Sequence, residues 1–511
     1  MLLLEVLEPV FGIWLVMSAI AFILGTLGSA SLLAIAGLCA IGAVIILPRP
    51  VKAADLGGDC CADVEERVAE LEATTVRKGN NKVSVQLYGK VNRAVLFWDD
   101  GAEQNTYVVD NHYESSRFGL IGSAKISGDW SAGYRLEIEN RIAASTQLNQ
   151  FNDDNATGAP LNVRWSSMYL NHKRFGEVRW GLTATPKYDV TKDTNVFSPN
   201  LIDTTSSDNR MNQSFRLRPK GFDNAEGLST LTWSNIGRCY SSSEAFNCST
   251  RRNGVAYWSP KWHGFSASAG WFEDDDWGAA LRYKGEWADA FLVGAGVGYE
   301  NVRDERLQNG GGGVASGPAP FPGGTRQTFF QRNFDEWAGM ANIKHKPTGL
   351  FAFTAFSFSD SGDTNALGIY TKKGPPDMNG WDVQLGIQRK MPWLGLDRLG
   401  ETSFWGGYSN IHDGIAQGSN GNGGNLGGIA ANGFLPAGTF ASVPINSQIT
   451  GSDVDRWFLA ADQWIDSAAI QLYAVYQHLQ AEVDLVDKDL NRVPVPLDDF
   501  DVFYTGAIIY F

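Results

Sequence analysis

Several kinds of chemistry are missing from this chain. Its six histidines, at 112, 172, 263, 345, 412 and 478, are scattered through 511 residues. There is no H-E-x-x-H, no G-x-S-x-G and no C-x-x-C, so the usual zinc, serine-nucleophile and thiol-redox signatures are absent. Positive charge is short as well: 42 Lys and Arg stand against 56 Asp and Glu, a net charge of −14. Without a dense basic run, a nucleic-acid surface is excluded. The glycine runs near 309–314 and 418–428 do not join a strand to a helix and are not phosphate loops. No cofactor is implied. The acidic run at 273–276 could hold Ca²⁺, but a solvated loop tip is the simpler reading, and no metal is expected.

Cysteine is scarce and uneven. Cys39 lies in an apolar leader, Cys60 and Cys61 are adjacent, and Cys239 with Cys248 could close a small loop in an oxidising compartment. The adjacent pair suits interchain bonds or free thiols equally well. From Pro9 to Pro48 the leader has no charge, long enough to span a bilayer at ~20 residues per helix. Small residues at Val51 and Ala53 precede a plausible cleavage after Ala53 or Ala54, so residues 1–54 read as a secretory leader. Glu5 and Glu8 replace the usual basic start, which leaves a start nearer Met17, or a retained anchor, as alternatives. Residues 55–81 place Val64, Val68, Leu71 and Thr75 at alternating spacings of four, three and four. That pattern predicts a short N-terminal helix, a coiled coil supported by an oligomeric body.

What the chain has in plenty is glycine, with 57, and tryptophan, with 17. From Lys82 the helical period gives way to alternation. Val83, Val85, Leu87 and Val91 share one parity; Ser84, Gln86 and Lys90 share the other. Further segments repeat this, each about 8–11 residues long, the length of a tilted strand crossing a bilayer. Short turns such as 127–130, 172–176 and 284–289 alternate with long connections such as 143–161, 186–252, 301–334 and 410–454. Counting segments predicts an all-β fold, a transmembrane antiparallel up-and-down barrel of about 16 strands. Tryptophans at segment ends, among them Trp98, Trp130, Trp258, Trp277, Trp337, Trp381, Trp405 and Trp457, suggest interfacial girdles. The last strand is apolar on both parities to Phe511, as a strand that closes the barrel against the first would be.

Five stretches carry a resemblance. Residues 85–101, 116–137, 175–189 and 253–271, with the terminal Phe511, appear in the order found in the Gram-negative general porin superfamily. The coiled-coil preface resembles the alphaproteobacterial type. The resemblance implies a homotrimeric, water-filled channel in the outer membrane, reached by secretion through the inner membrane. It would touch lipopolysaccharide, contact peptidoglycan through the coiled coil, and pass small hydrophilic solutes; no enzyme activity is expected. It also implies that Phe511 is the assembly signal and that 186–252 holds an inward-folded loop. A solute- or anion-selective channel, or a barrel acting as adhesin or tether, are the alternatives.

Charge placement adds a candidate constriction. The inward loop supplies Asp189, Asp193, Asp203 and Asp208. Strand parity puts Arg117, Lys125, Arg135 and Arg179 on the lumen side, and Arg216 and Arg218 share a face of 214–219. An acidic loop opposite a basic wall would set up a transverse field acting on passing ions.

Overall fold

The computed structural model describes residues 83–153, 160–197, 201, 211–222, 227–237, 239, 251–308, 328–361, 377–414, 447–487, 489 and 491–511. The strands are β1 (Ser84–Asp99), β2 (Gln104–Asp110), β3 (Arg117–Lys125), β4 (Trp130–Asn140), β5 (Leu161–His172), β6 (Gly176–Ala184), β7 (Arg251–Trp258), β8 (Phe265–Phe272), β9 (Trp277–Trp287), β10 (Phe291–Gln308), β11 (Thr328–His345), β12 (Leu350–Ser361), β13 (Met378–Arg389), β14 (Thr402–His412), β15 (Gln448–Ile465), β16 (Ile470–Val486), β17 (Arg492–Val493) and β18 (Phe500–Tyr510). All belong to one antiparallel sheet, and β18 pairs with β1 from Lys90↔Tyr510 to Asp99↔Asp501, so the sheet closes. The Phe511 N–H donates to the Gly89 carbonyl at 3.0 Å, and the Gly89 N–H donates to the Phe511 carbonyl at 2.8 Å. The chain end is thus a seam, held by the backbone pairing that any open edge in lipid would lack.

Two strands add no stave. β2 and β3 share the same edge of β1, one above the other, and β17 is a two-residue pairing on β16. Setting them aside leaves sixteen staves in the wall. Connections at 126–129, 173–175, 259–264, 288–290, 346–349 and 466–469 are short and lie on one rim. The strand ends that flank 141–160, 185–250, 309–327, 362–377 and 413–447 are on the other, with 273–276 the brief connection there. An even count with both ends on the short-turn rim follows.

Strand alternation sorts the side chains as a lipid-facing barrel requires. Leu87, Val91, Phe118, Leu136, Met168 and Leu281 are exposed on the outside. Trp130, Trp262 and Trp287 ring the short-turn rim outside, and Trp271, Trp277, Trp337, Trp381 and Trp457 ring the other. Three tryptophans expected in these girdles are elsewhere: Trp98, Trp258 and Trp405 are buried on the lumen side. They lie on the inward parity of their strands, which outweighs their nearness to a strand end.

The expected N-terminal coiled coil is withdrawn. Its segment, 55–81, lies outside the described residues, which begin at Val83 with β1 following at once. Among the described residues the α-helices are α1 (Tyr188–Thr194) and α2 (Trp233–Ile236), both within the segment after β6. The fold class is therefore the all-β barrel alone, and the peptidoglycan contact expected through the helix falls with it. The leader 1–54 also lies outside the described residues.

Candidate functional site

The barrel's main apolar core is inside the lumen, and it occupies one side. On β18 the inward residues are Phe500, Val502, Tyr504 and Ile508; on β1 they are Ala94, Leu96 and Trp98; all are buried. Against Trp98 and Phe500 lies the segment after β6, whose Met211, Phe215, Leu217, Leu231, Trp233 and Ile236 form one continuous cluster with the wall, while Tyr504 lies against Tyr113. Phe215 packs 5.2 Å from the Trp98 ring and 5.0 Å from the Phe500 ring, and Trp233 lies 5.7 Å from Phe500. Burying each such side chain contributes about 1.5–3 kcal/mol, so contacts of this number hold a long segment firmly.

Polar clips fix the same segment to the long-loop rim. Arg218 is buried, with Nη2 donating to Asp100 Oδ2 at 2.8 Å and Nε 2.8 Å from Asp100 Oδ1. Asp100 sits in the turn between β1 and β2. Main-chain bonds join the segment to the stretch before β18: Asp498 N–H to the Arg218 carbonyl at 2.8 Å, and Lys220 N–H to the Pro496 carbonyl at 2.9 Å. Cys239 is disulfide-bonded and buried, while Cys248 lies outside the described residues.

The stem of the inward segment lies on β9–β11. Here the lumen parity of β10 reads Gly294, Gly296, Gly298. A Cβ added at Gly294 would fall 1.8 Å from the Thr194 carbonyl oxygen, and one at Gly298 would fall 2.9 Å from the Lys187 Cα. The glycines let α1 lie flat against the wall. Lys187, just before α1, is fully buried with Nζ 2.6 Å from Glu336 and 3.4 Å from Glu300. At the far end of α1 the Asn342 amide donates to the Thr194 carbonyl at 3.2 Å and its oxygen accepts the Val196 N–H at 3.0 Å. Arg282 bonds the Pro186 carbonyl and lies 3.3 Å from Asp193.

The lumen wall that adjoins β1, from β3 to β7, is charged. Glu137 receives Tyr88, Arg135 and Arg164 at 2.7, 2.8 and 2.9 Å. Glu139 receives Arg164, Asn162 and Ser115, with Arg141 at 3.4 Å. These two carboxylates are 2% and 3% exposed, whereas the side chains of Arg135 and Arg179 are 25% and 27% exposed. Glu137 and Glu139 are sealed beneath the bases, while Glu177 and Glu114, 23% and 35% exposed, reach the lumen paired with Arg179 and with Lys90 and Arg117. Arg135 lies over the Trp165 ring at 4.1 Å, and Arg179 lies over Trp258 at 3.8 Å while bonding Glu177. Arginine on an aromatic face keeps its plane fixed without losing its charge.

The residues singled out in the sequence divide between these regions. Arg117, Lys125, Arg135 and Arg179 take the lumen parity of β3, β4 and β6. Arg216 and Arg218 are on the covering segment; Arg216 lies over the Phe151 ring at 4.7 Å. Asp193 pairs with Arg282 on the wall that α1 rests on, away from the β3–β6 bases. Asp189 is within α1, and Asp203 and Asp208 lie outside the described residues. Arg164 was missed because β5 bulges there: Glu137 faces Trp165 while Ile138 faces Val163. The extra residue turns both Arg164 and Trp165 inward. In the acidic run 273–276, Asp276 is buried against Arg252. Among the described residues no group of His, Cys, Asp or Glu gathers as metal ligands do.

Comparison with known proteins gives a family match. The sequence profile of a family described as Gram-negative porin matches residues 61–493. No curated protein matches the chain. Among solved structures it is similar to the outer membrane protein OmpT of Vibrio cholerae, at 15% identity over 85% of this chain and 99% of that one, TM-score 0.43. It is also similar to an anion-selective porin from Comamonas acidovorans, at 15% identity over 84% of this chain and 100% of that one, TM-score 0.48. A third is the outer membrane channel DcaP of Acinetobacter baumannii, at 13% identity over 85% and 99%, TM-score 0.41. The matched description names no subtype, and with the coiled coil withdrawn the narrower alphaproteobacterial assignment is withdrawn too.

Proposed function

Because this chain belongs to the Gram-negative porin family, a family of outer-membrane barrels rather than enzymes, we propose that it passes small hydrophilic solutes and ions by diffusion along the charged half of its lumen. The supporting observation is the run of lumen-facing bases between the two rims. Lys125 ends β3 at the short-turn rim, Arg179 and Arg135 follow, and Arg117, Arg164 and Arg141 continue toward the long-loop rim. With Glu137 and Glu139 buried under these bases, the path prefers anions. The other half, covered from Met211 to Ile236, carries little current.

In the same reading the protein works as a homotrimer surrounded by outer-membrane lipid and lipopolysaccharide. The leader 1–54 takes it through the inner membrane, and Phe511, 61% exposed at the seam, is read as the assembly signal. Planar-bilayer recording tests the proposal. Stepwise conductance with a reversal potential on the anion side of a KCl gradient is expected. Correctly folded trimer that carries no current would sink the channel reading, and a cation-side potential would sink the anion preference.

A further inference from the structure

The second stave of the wall is broken. Between β2 and β3, residues 111–116 leave the sheet and turn into the lumen at the corner where the apolar half meets the charged half. Toward the apolar half, the Tyr113 ring stacks 5.9 Å from Tyr504, and its hydroxyl accepts Gln477 Nε2 at 3.0 Å. Asn111 Nδ2 donates to the Tyr473 hydroxyl at 3.1 Å. Asn92 Nδ2 donates to the main-chain carbonyls of Asn111 and Glu114 at 3.2 and 3.0 Å. This tongue is therefore held by its backbone and by residues other than Glu114. Of its six residues, five are buried, and Glu114 alone keeps a partly exposed side chain, 35%.

Toward the charged half, one atom, Glu114 Oε2, accepts both Lys90 Nζ and Arg117 Nη2. Two cations from neighbouring staves converge on a single oxygen, which is the arrangement a solute carboxylate or phosphate would need. The Glu114 carboxylate is chemically a copy of such a group. Unlike Glu137 and Glu139 it is neither sealed under arginines nor part of a strand, so it can turn away without disturbing the sheet.

We propose that Lys90 and Arg117 form a subsite for an oxygen of a passing carboxylate or phosphate, and that Glu114 is its tethered competitor. This rests on the channel reading above. An entering anion displaces Glu114, passes, and Glu114 returns. Competition keeps the subsite weak, and a conducting site must bind loosely enough to release. Without Glu114 the same two cations would trap the anion.

The test is single-channel recording of the full chain in chloride, with inorganic phosphate as the probe, comparing the unsubstituted protein, Glu114→Gln and Lys90→Met. Glu114→Gln keeps the side-chain shape and should lower the half-blocking phosphate concentration about tenfold, as removing one competing charge at contact distance implies. Lys90→Met should raise it. Unsubstituted protein without current contradicts the channel reading. Normal current with phosphate block unchanged by Glu114→Gln overturns the subsite alone. Should Glu114→Gln fail to assemble, Lys90→Met decides: phosphate block equal to that of the unsubstituted protein overturns the proposal.

Discussion

Two walls of one lumen are built on the same strand geometry and made of opposite chemistry. Along β3–β5 the inward positions are Arg117, Arg135, Glu137, Glu139 and Arg164. Along β18 and β1 they are Phe500, Val502, Tyr504, Ile508, Leu96 and Trp98. A sixteen-stave barrel is too wide for its own side chains to fill. The apolar wall is stable only because a second layer, the segment after β6, removes it from water. The charged wall needs no cover, since water or its own ion pairs satisfy it. The width of the path is thus set less by strand number than by how much wall is covered.

Substitutions that uncover the apolar wall should have the largest effects. Phe215→Asp places a carboxylate between the Trp98 and Phe500 rings, where its charge is costly to bury. The cover should detach, and single-channel conductance should rise severalfold; unchanged conductance in folded protein would mean the cover does not narrow the path. Lys187→Met removes the cation that holds Glu300 and Glu336 together in the dry wall. Breaking a buried pair costs about 3–5 kcal/mol, read as a lower unfolding temperature of the detergent-solubilised protein, with Glu336→Gln restoring part of it.

Gly294→Ala forces α1 off β10, at a cost of about 1–3 kcal/mol for overpacking, and should show as added open-channel noise. Smallest in stability is Arg135→Gln on the charged wall. It removes one of three donors to Glu137 and leaves Tyr88 and Arg164 in place, yet it should move the reversal potential toward cations. If Arg135→Gln leaves selectivity unchanged while Phe215→Asp alters it, the assignment of the two walls is reversed.

Much of the barrel is legible in the order of its residues. Period-two alternation and turn lengths are local properties, so the staves, their even number and the closing role of the last strand can be read directly. The inward parity of Arg117, Arg135 and Arg179 comes from the same rule. The covered wall has a signal too: β18 is apolar on both parities, which a water-filled lumen alone would not require. The glycines at 294, 296 and 298 likewise mark a face lying against backbone. Arg164 is hidden because a bulge breaks the alternation that parity relies on. The route of 211–239 is hidden because a segment without a period is positioned by tertiary contacts, which spacing does not encode. Position along the strand alone puts Trp98, Trp258 and Trp405 in the girdles, whereas the face they occupy decides.

The division of the lumen is most directly tested by accessibility to a small, charged thiol reagent during single-channel recording. Cysteine would be introduced singly at Lys125 and Arg179 on the charged wall and at Val502 and Ile508 on the covered wall, with the unsubstituted protein as blank. Rapid modification and a stepwise current change are expected at the first two positions, and none at the last two. Equal modification at all four would mean that water fills both halves and that the lumen is not divided.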